Sequence, residues 1–200
     1  MIKNIIFDFG DVFINLDKSA TLQALIKAGY KEIPKGLFPL ASSYEKGLLD
    51  TPSFLKAVNG FLPNSTKEEI IDAWNAIILD FPENRLQFLQ KLSIEQDYRL
   101  FLLSNTNELH IQHVISQMGV PKYEAFKACF EGFHLSHCIG MRKPEPEIFI
   151  MFLTEHGLVA KETLFVDDTL EHILSAKSLG FQTWHLIVGK EEVTELNFHI

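Results

Sequence analysis

An α/β fold is what this 200-residue sequence predicts: a parallel sheet with helices on both faces and an all-helical segment inserted into it. Three observations carry that prediction. Short apolar runs recur, and each ends abruptly in polar residues, as buried parallel strands do. Helix-period patterns lie between the runs. From about Leu16 to Glu83 the alternation lapses into helical faces with no convincing strand.

Taken in chain order, Ile5-Ile6-Phe7 is the first strand and runs into Asp8. Leu22, Leu25 and Ile26 share one helical face, and Pro34, Pro39, Pro52 and Pro63 punctuate the chain after it. Thr66 and Glu69 have the spacing of a capping box, which starts a helix carrying Ile70, Ile71, Trp74, Ile77 and Ile78 on one face. Phe38, Phe54, Phe61 and Trp74 are expected in the core of this inserted segment. Leu100-Phe101-Leu102-Leu103 is a second strand, ending at Ser104-Asn105-Thr106-Asn107. Pro144 suits a helical first turn, with Ile148, Phe149, Phe152 and Leu153 behind it and Gly157 as the stop. Leu164-Phe165-Val166 is a further strand, leading into Asp167 and Asp168. Thr169 is placed to cap a helix through Ile173, Ala176 and Leu179, ended by Gly180, and Trp184–Val188 is the last strand. The expected division is residues 1–15 and 84–200 as one α/β core, with residues 16–83 as a helical insertion.

Composition narrows the function. A chain with 46% hydrophobic residues, 17 of its residues Phe, can build a sizeable core. A net charge of −8 argues against a general binder of nucleic acid or of anionic membranes. No run approaches the length of a membrane span, and Asp8 and Asp11 break the first apolar run too early for a signal peptide. Cys129 and Cys138 are the only cysteines; two thiols in a chain of this size read as reduced, and the expected location is cytoplasmic.

Ligands of open parallel sheets sit at the carboxyl ends of the strands. Asp8, Ser104, Asp167 and Asp168 all fall there, and Lys143 lies in the loop Gly140–Pro146 before a helix. Three carboxylates brought together repel one another and shift one another's pKa values. A hard divalent cation relieves this, and Mg²⁺ takes one or two carboxylates together with waters and phosphate oxygens. Lys143 adds a point charge and Ser104 a hydroxyl donor for phosphate. One carboxylate can then attack phosphorus.

The order Asp8…Ser104…Lys143…Asp167-Asp168 resembles the haloacid dehalogenase-like hydrolase superfamily. The stretches FDFGDV, LLSNTNELH, GMRKPEPEIF and FVDDTLEHILSAKSLG are most similar to its alpha-D-glucose-1-phosphate phosphatase-like branch. The resemblance implies a Rossmann-like core with the insertion acting as a cap. It implies Asp8 as nucleophile and Mg²⁺ ligand, Gly10 offering its carbonyl to the metal, and Asp167 and Asp168 holding the metal directly or through water. Ser104 and Asn105 are implied to bind the phosphoryl group, and Lys143 to steady both nucleophile and phosphate. Glu45 and Lys46, in an acidic–basic–Gly stretch like one on relatives' caps, are implied to face the substrate. The sequence departs from most phosphatases of the superfamily at Gly10, where they carry a second Asp that protonates the leaving group. That help is typically worth about 10²–10⁴-fold. The branch named above also has Gly there, and a sugar 1-phosphate needs less acid help. Asp11, on a strand-like path, is expected to point away.

The implied activity is a Mg²⁺-dependent phosphatase that hydrolyses a small phosphate monoester, expected to be a sugar phosphate, through an aspartyl-phosphate intermediate, with no nucleic-acid or membrane partner and the oligomeric state open. The alternatives are a non-catalytic phosphate-ligand binding module, encouraged by Gly10, and a haloacid dehalogenase or phosphomutase on the same fold. His110 and His172 read as surface or packing residues. His134, His137 and Cys138 have a metal-like density, but no second cluster completes a zinc site, and none is expected there.

Overall fold

In a computed structural model that describes residues 1–95 and 97–199, five parallel strands form one sheet in the order β3-β2-β1-β4-β5. The strands are β1 (Asn4–Phe7), β2 (Arg99–Ser104), β3 (Gly132–Leu135), β4 (Thr163–Asp167) and β5 (Gln182–His185). Among the described residues ten α-helices accompany them: α1 (Ala20–Lys27), α2 (Leu37–Glu45), α3 (Thr51–Phe61), α4 (Lys67–Asn75), α5 (Glu83–Glu95), α6 (Glu108–Met118), α7 (Val120–Lys127), α8 (Ser136–Ile139), α9 (Pro146–His156) and α10 (Leu170–Ser178). The α/β class read from the sequence is the fold observed.

The period-2 alternation of the central strands feeds a separate core on each face. Ile5, Phe7, Leu100, Leu102, Leu164 and Val166 pack on one face with Phe13, Phe81 and Phe126. Ile6, Phe101, Leu103 and Phe165 pack on the other against Ile148, Phe149 and Phe152 of α9 and Ile173 and Ala176 of α10. Because these strands are apolar on both faces, their polar groups are confined to the strand ends. Strand order runs outward from β1 through β2 to β3 on one side and through β4 to β5 on the other. The reversal lies between β1 and β4, which is where such sheets open a crevice.

Helices α1 to α4 gather around a third cluster containing Leu25, Tyr44, Phe54, Val58, Leu62 and Ile70. The predicted capping box of Thr66 and Glu69 starts α4, with both reciprocal hydrogen bonds formed. Phe54 belongs to this core, but Phe38 and Phe61 are exposed; neither heads the buried stripe of its helix. Two chain segments join the helices to the sheet. They run antiparallel, with Asn15 N donating to Asp80 O and Leu79 N to Asn15 O, both at 2.9 Å. Leu109 of α6 also packs into the third cluster, so it is continuous with the α/β part.

Further sequence expectations need correction. Helix α4 ends at Asn75, so Ile77 and Ile78 lie beyond it, and Ile78 bridges to Leu16. β3 has no counterpart among the predicted strands. Helix α9 starts at Pro146, not at Pro144, so Pro144 lies in the preceding loop. The last strand is Gln182–His185, not Trp184–Val188, and Ile187 and Val188 are exposed. Cys129 and Cys138 are both free thiols. Among the described residues, no helix is long and apolar enough to cross a membrane.

Candidate active site

Register builds the site. Phe7 of β1 pairs with Val166 of β4, and Asp8 N donates to Val166 O at 2.9 Å, so Asp8 and Asp167 emerge side by side. Both are buried, as is Lys143, whose side chain is fully enclosed. Lys143 Nζ lies 2.8 Å from Asp8 Oδ1 and 2.7 Å from Asp167 Oδ2, and donates to the Leu103 carbonyl at 2.8 Å. An ammonium enclosed this completely persists because all its donors are engaged with charge or carbonyl. Lys143 therefore supports the carboxylates from below and does not form part of the crevice wall.

Electrostatics separate the two acids. Burial pushes the Asp8 carboxyl up to about 6, although Lys143 pulls against it. Burial acts the same way on Asp167, but Lys143 and His172 outweigh it and hold that carboxyl at about 2. His172 Nδ1 stands 3.0 Å from Asp167 Oδ2, and Thr169 N donates to Asp167 Oδ1 at 2.7 Å. Thr169 is thus the N-cap of α10 by position, but its side chain makes no capping hydrogen bond, and the Asp167 carboxylate accepts from Thr169's own N–H.

Ligand oxygens of Asp8, Asp167 and Asp168 lie within 4.8 Å of one another. Asp168 Oδ2 is 2.5 Å from Lys18 Nζ, which also reaches Asp11 Oδ2 at 2.9 Å. Four carboxylates thus meet two ammonium groups, leaving an excess of two negative charges. An all-oxygen donor set with that excess fits a hard divalent cation. Gly10 lies on the crevice wall; a Cβ there would stand 2.8 Å from Leu16 Cδ1.

The loop after β2 is pinned from several directions. The Asn105 side chain donates to Lys143 O and accepts from Lys143 N, each at 2.8 Å, so it positions the lysine loop. Thr106 N donates to Ser136 Oγ, and that hydroxyl donates back to Thr106 O. Asn107, fully buried, caps α6 and accepts from Trp74 Nε1 at 3.2 Å. Ser104, Asn105 and Thr106 face a crevice of about 400 Å³ that also exposes Asp8, Asp168 and Glu45.

The sequence placed Glu45 and Lys46 together, and the structure separates their roles. Glu45 lines the crevice and meets Arg142 Nη2 at 3.0 Å, whereas Lys46 turns away to pair with Glu145. Burial raises the Glu45 carboxyl above the usual range, against the pull of Arg142 and His172. Asp11 departs from the strand-like path expected for it: its φ is +54°, and its carboxylate accepts from Leu16 N at 3.0 Å. Lys18, Arg142 and His172 are site residues that sequence reasoning missed. Nothing local distinguishes Lys18 or Arg142 from a solvated cation, and only the spacing of His172 after Asp167 in a helical first turn carried a signal.

The arrangement holds a buried, lysine-anchored carboxylate beside a divalent-cation donor set and a hydroxyl-lined crevice. Comparison with known proteins agrees with that chemistry. The family model for the haloacid dehalogenase-like hydrolases matches residues 2–180. D-ribitol-5-phosphate phosphatase of Bacteroides thetaiotaomicron is 31% identical over 202 residues, covering 98% of this chain and 97% of that protein. A crystal structure of a family enzyme from B. thetaiotaomicron with magnesium and inorganic phosphate superposes with a TM-score of 0.83 at 33% identity, covering 96% and 97% of the two chains. A family hydrolase from Porphyromonas gingivalis gives 0.82 at 27% identity over 99% and 97%. The L-2-haloacid dehalogenase of Xanthobacter autotrophicus, at 17% identity and a TM-score of 0.57 over 93% and 78%, shares the fold. By family model and by identity over nearly its full length, this chain belongs to the haloacid dehalogenase-like hydrolases.

Proposed function

We propose that the protein is a Mg²⁺-dependent phosphatase of a small sugar or polyol phosphate, working through an aspartyl-phosphate on Asp8. The observation that carries this reading is the buried Lys143 held between Asp8 and Asp167 at the reversal of strand order. The relative that acts on D-ribitol 5-phosphate and the family structure holding magnesium and phosphate support the substrate class and the metal.

Asp8, Asp167 and Asp168 would hold Mg²⁺ with the Gly10 carbonyl. The ion supplies charge neutralisation for an incoming phosphate. Lys143 keeps Asp8 ionised and aimed, because the salt bridge favours the anion that burial opposes. Asp8 Oδ attacks phosphorus; the bond to the leaving oxygen breaks, and that oxygen takes a proton from solvent, since Gly10 offers no acid side chain. Water then attacks the aspartyl-phosphate, breaking the P–Oδ bond and releasing phosphate with Asp8 restored. Ser104 and the backbone N–H groups after it steady the phosphoryl oxygens. The helices α1 to α4 serve as the cap, and Glu45 and Arg142 at their junction with the core meet the substrate's hydroxyl groups. Excluding water during the first attack is the work of such a cap.

The test is phosphate release from a panel of sugar and polyol phosphates, with Mg²⁺ and with chelator. Turnover should require Mg²⁺ and fall at least roughly 10³-fold in Asp8→Asn, as when a nucleophile is lost. Undiminished release by Asp8→Asn would disprove the covalent route. Tight phosphate binding without turnover would favour a binding module, and turnover of a haloacid without metal would favour a dehalogenase.

A further inference from the structure

A second group of metal-binding side chains meets at the sheet edge, away from the crevice. His134 lies on β3, an edge strand, while Glu155 and His156 end α9. The two imidazole Nε2 atoms are 2.8 Å apart, and Glu155 Oε1 is 3.8 Å from His134 Nε2. One ligand atom from each of the three residues lies within 4.8 Å of the others.

The surroundings hold the rings in that convergence. A Cβ at Gly132 would stand 2.8 Å from His156 Cε1 and 2.9 Å from its Nε2, so the imidazole occupies space that this glycine leaves. His134 packs on Phe152 with ring centroids 4.8 Å apart, and His156 packs on both Phe101 and Phe152 at 4.7 Å. Arg99 Nη2 donates to the His156 carbonyl at 3.1 Å, which fixes the helix end. Two nitrogens therefore face each other across a distance at which one must donate and the other accept.

We propose that His134, His156 and Glu155 bind a Zn²⁺ ion, with solvent as the fourth ligand, clamping β3 to the end of α9. Zinc–nitrogen and zinc–oxygen bonds of about 2.0–2.2 Å in a tetrahedron put neighbouring ligand atoms about 3.3 Å apart. To reach that spacing the rings part by about half an ångström, and because their centroids stand 5.0 Å apart with the Nε2 atoms head-on at 2.8 Å, each must also swing so that both lone pairs converge on the ion; Glu155, being exposed, is free to swing inward. Two imidazoles with one carboxylate suit zinc, whereas the all-oxygen set of Asp8, Asp167 and Asp168 suits magnesium. The two sites therefore select different ions. A zinc ion here ties down an edge strand and stabilises the folded chain by mass action.

The experiment is calorimetric titration of Zn²⁺ into the full chain in saturating Mg²⁺, paired with the visible spectrum of the Co²⁺ form. The expected result is one Zn²⁺ per chain, a tetrahedral Co²⁺ band and a raised melting temperature. His134→Gln should abolish all three, and Asp8→Asn should preserve them. Glu155→Gln alters an exposed side chain, so it tests the site even where a histidine variant misfolds; it should weaken Zn²⁺ binding roughly tenfold or more, at least the loss typical of a disturbed metal shell. Zinc binding unchanged in Glu155→Gln, lost in Asp8→Asn, or absent with Mg²⁺ present would overturn the proposal.

Discussion

His172 shows how one side chain tunes a neighbour without touching the reacting atoms. It sits one helical turn into α10 and meets both Asp167 oxygens, at 3.0 and 3.1 Å. Together with Lys143 it holds the Asp167 carboxyl down at about 2 despite burial. His172→Ala removes one of those supports, and partners that orient metal ligands are typically worth about 10–100-fold. The variant should therefore need more Mg²⁺ for half-maximal turnover by about that factor, with phosphate release at saturating Mg²⁺ less affected; Mg²⁺ titrations of the two proteins measure it. An unchanged Mg²⁺ requirement would reduce His172 to a packing residue. The sequence showed Asp8, Ser104, Lys143, Asp167 and Asp168 because each follows an apolar run or precedes a helix, where position along the strand determines position in space. It did not show Lys18, which joins the nearby Asp11 to Asp168 150 positions away, or Arg142, whose partner Glu45 lies 97 positions away. Lys46 misled because residues adjacent on a helix point in different directions.

At the scale of elements, legibility followed the apolar pattern. β1, β2 and β4 are buried on both faces and announce themselves as apolar runs. β3 is Gly-Phe-His-Leu at the sheet edge; with a glycine and a histidine among four residues it has no run to read. The junction of α2 with α8 was equally hidden, and Gly47 makes it possible. Its φ is +65°, and a Cβ there would come within 2.1 Å of the His137 carbonyl oxygen. Any side chain must push the end of α2 off the core. That shift would strain the adjoining Glu45–Arg142 and Lys46–Glu145 pairs. Gly47→Ala thus combines a left-handed backbone penalty of about 1 kcal/mol with a steric clash against backbone. It should lower stability by about 2 kcal/mol or more in urea unfolding and raise KM more than it lowers kcat. A variant with native stability and native KM would mean that the two helices separate without consequence.

Across the whole molecule, the helical insertion and the sheet meet through His110, and this junction makes stability depend on pH. His110 stacks on Trp74 of α4 at 5.3 Å between ring centroids, and its Nε2 lies 3.1 Å from the Trp74 carbonyl. Its Nδ1 faces the Asn107 amide at 3.1 Å. Burial lowers the imidazole to about 4; the Trp74 carbonyl opposes this and His113 adds to it. The folded chain therefore keeps His110 neutral where the unfolded chain, near 6.5, already binds a proton. Stability from this group is full above about 6.5 and is lost as pH falls towards about 4, by about 2 kcal/mol between pH 7 and pH 5. Asp8 acts in the opposite sense between about 6 and 3.8, because its folded carboxyl takes up a proton before the unfolded one does. The wild-type curve alone therefore understates the effect, and subtraction of a variant's curve isolates it. His110→Gln keeps a hydrogen-bonding side chain but cannot titrate, so its unfolding free energy should fall by about 2 kcal/mol less than that of the wild type over the same interval. Urea melts of both proteins at the two pH values make the measurement. Parallel losses would show that His110 is protonated equally in the folded and unfolded chains, and the contact between insertion and sheet would then be indifferent to pH.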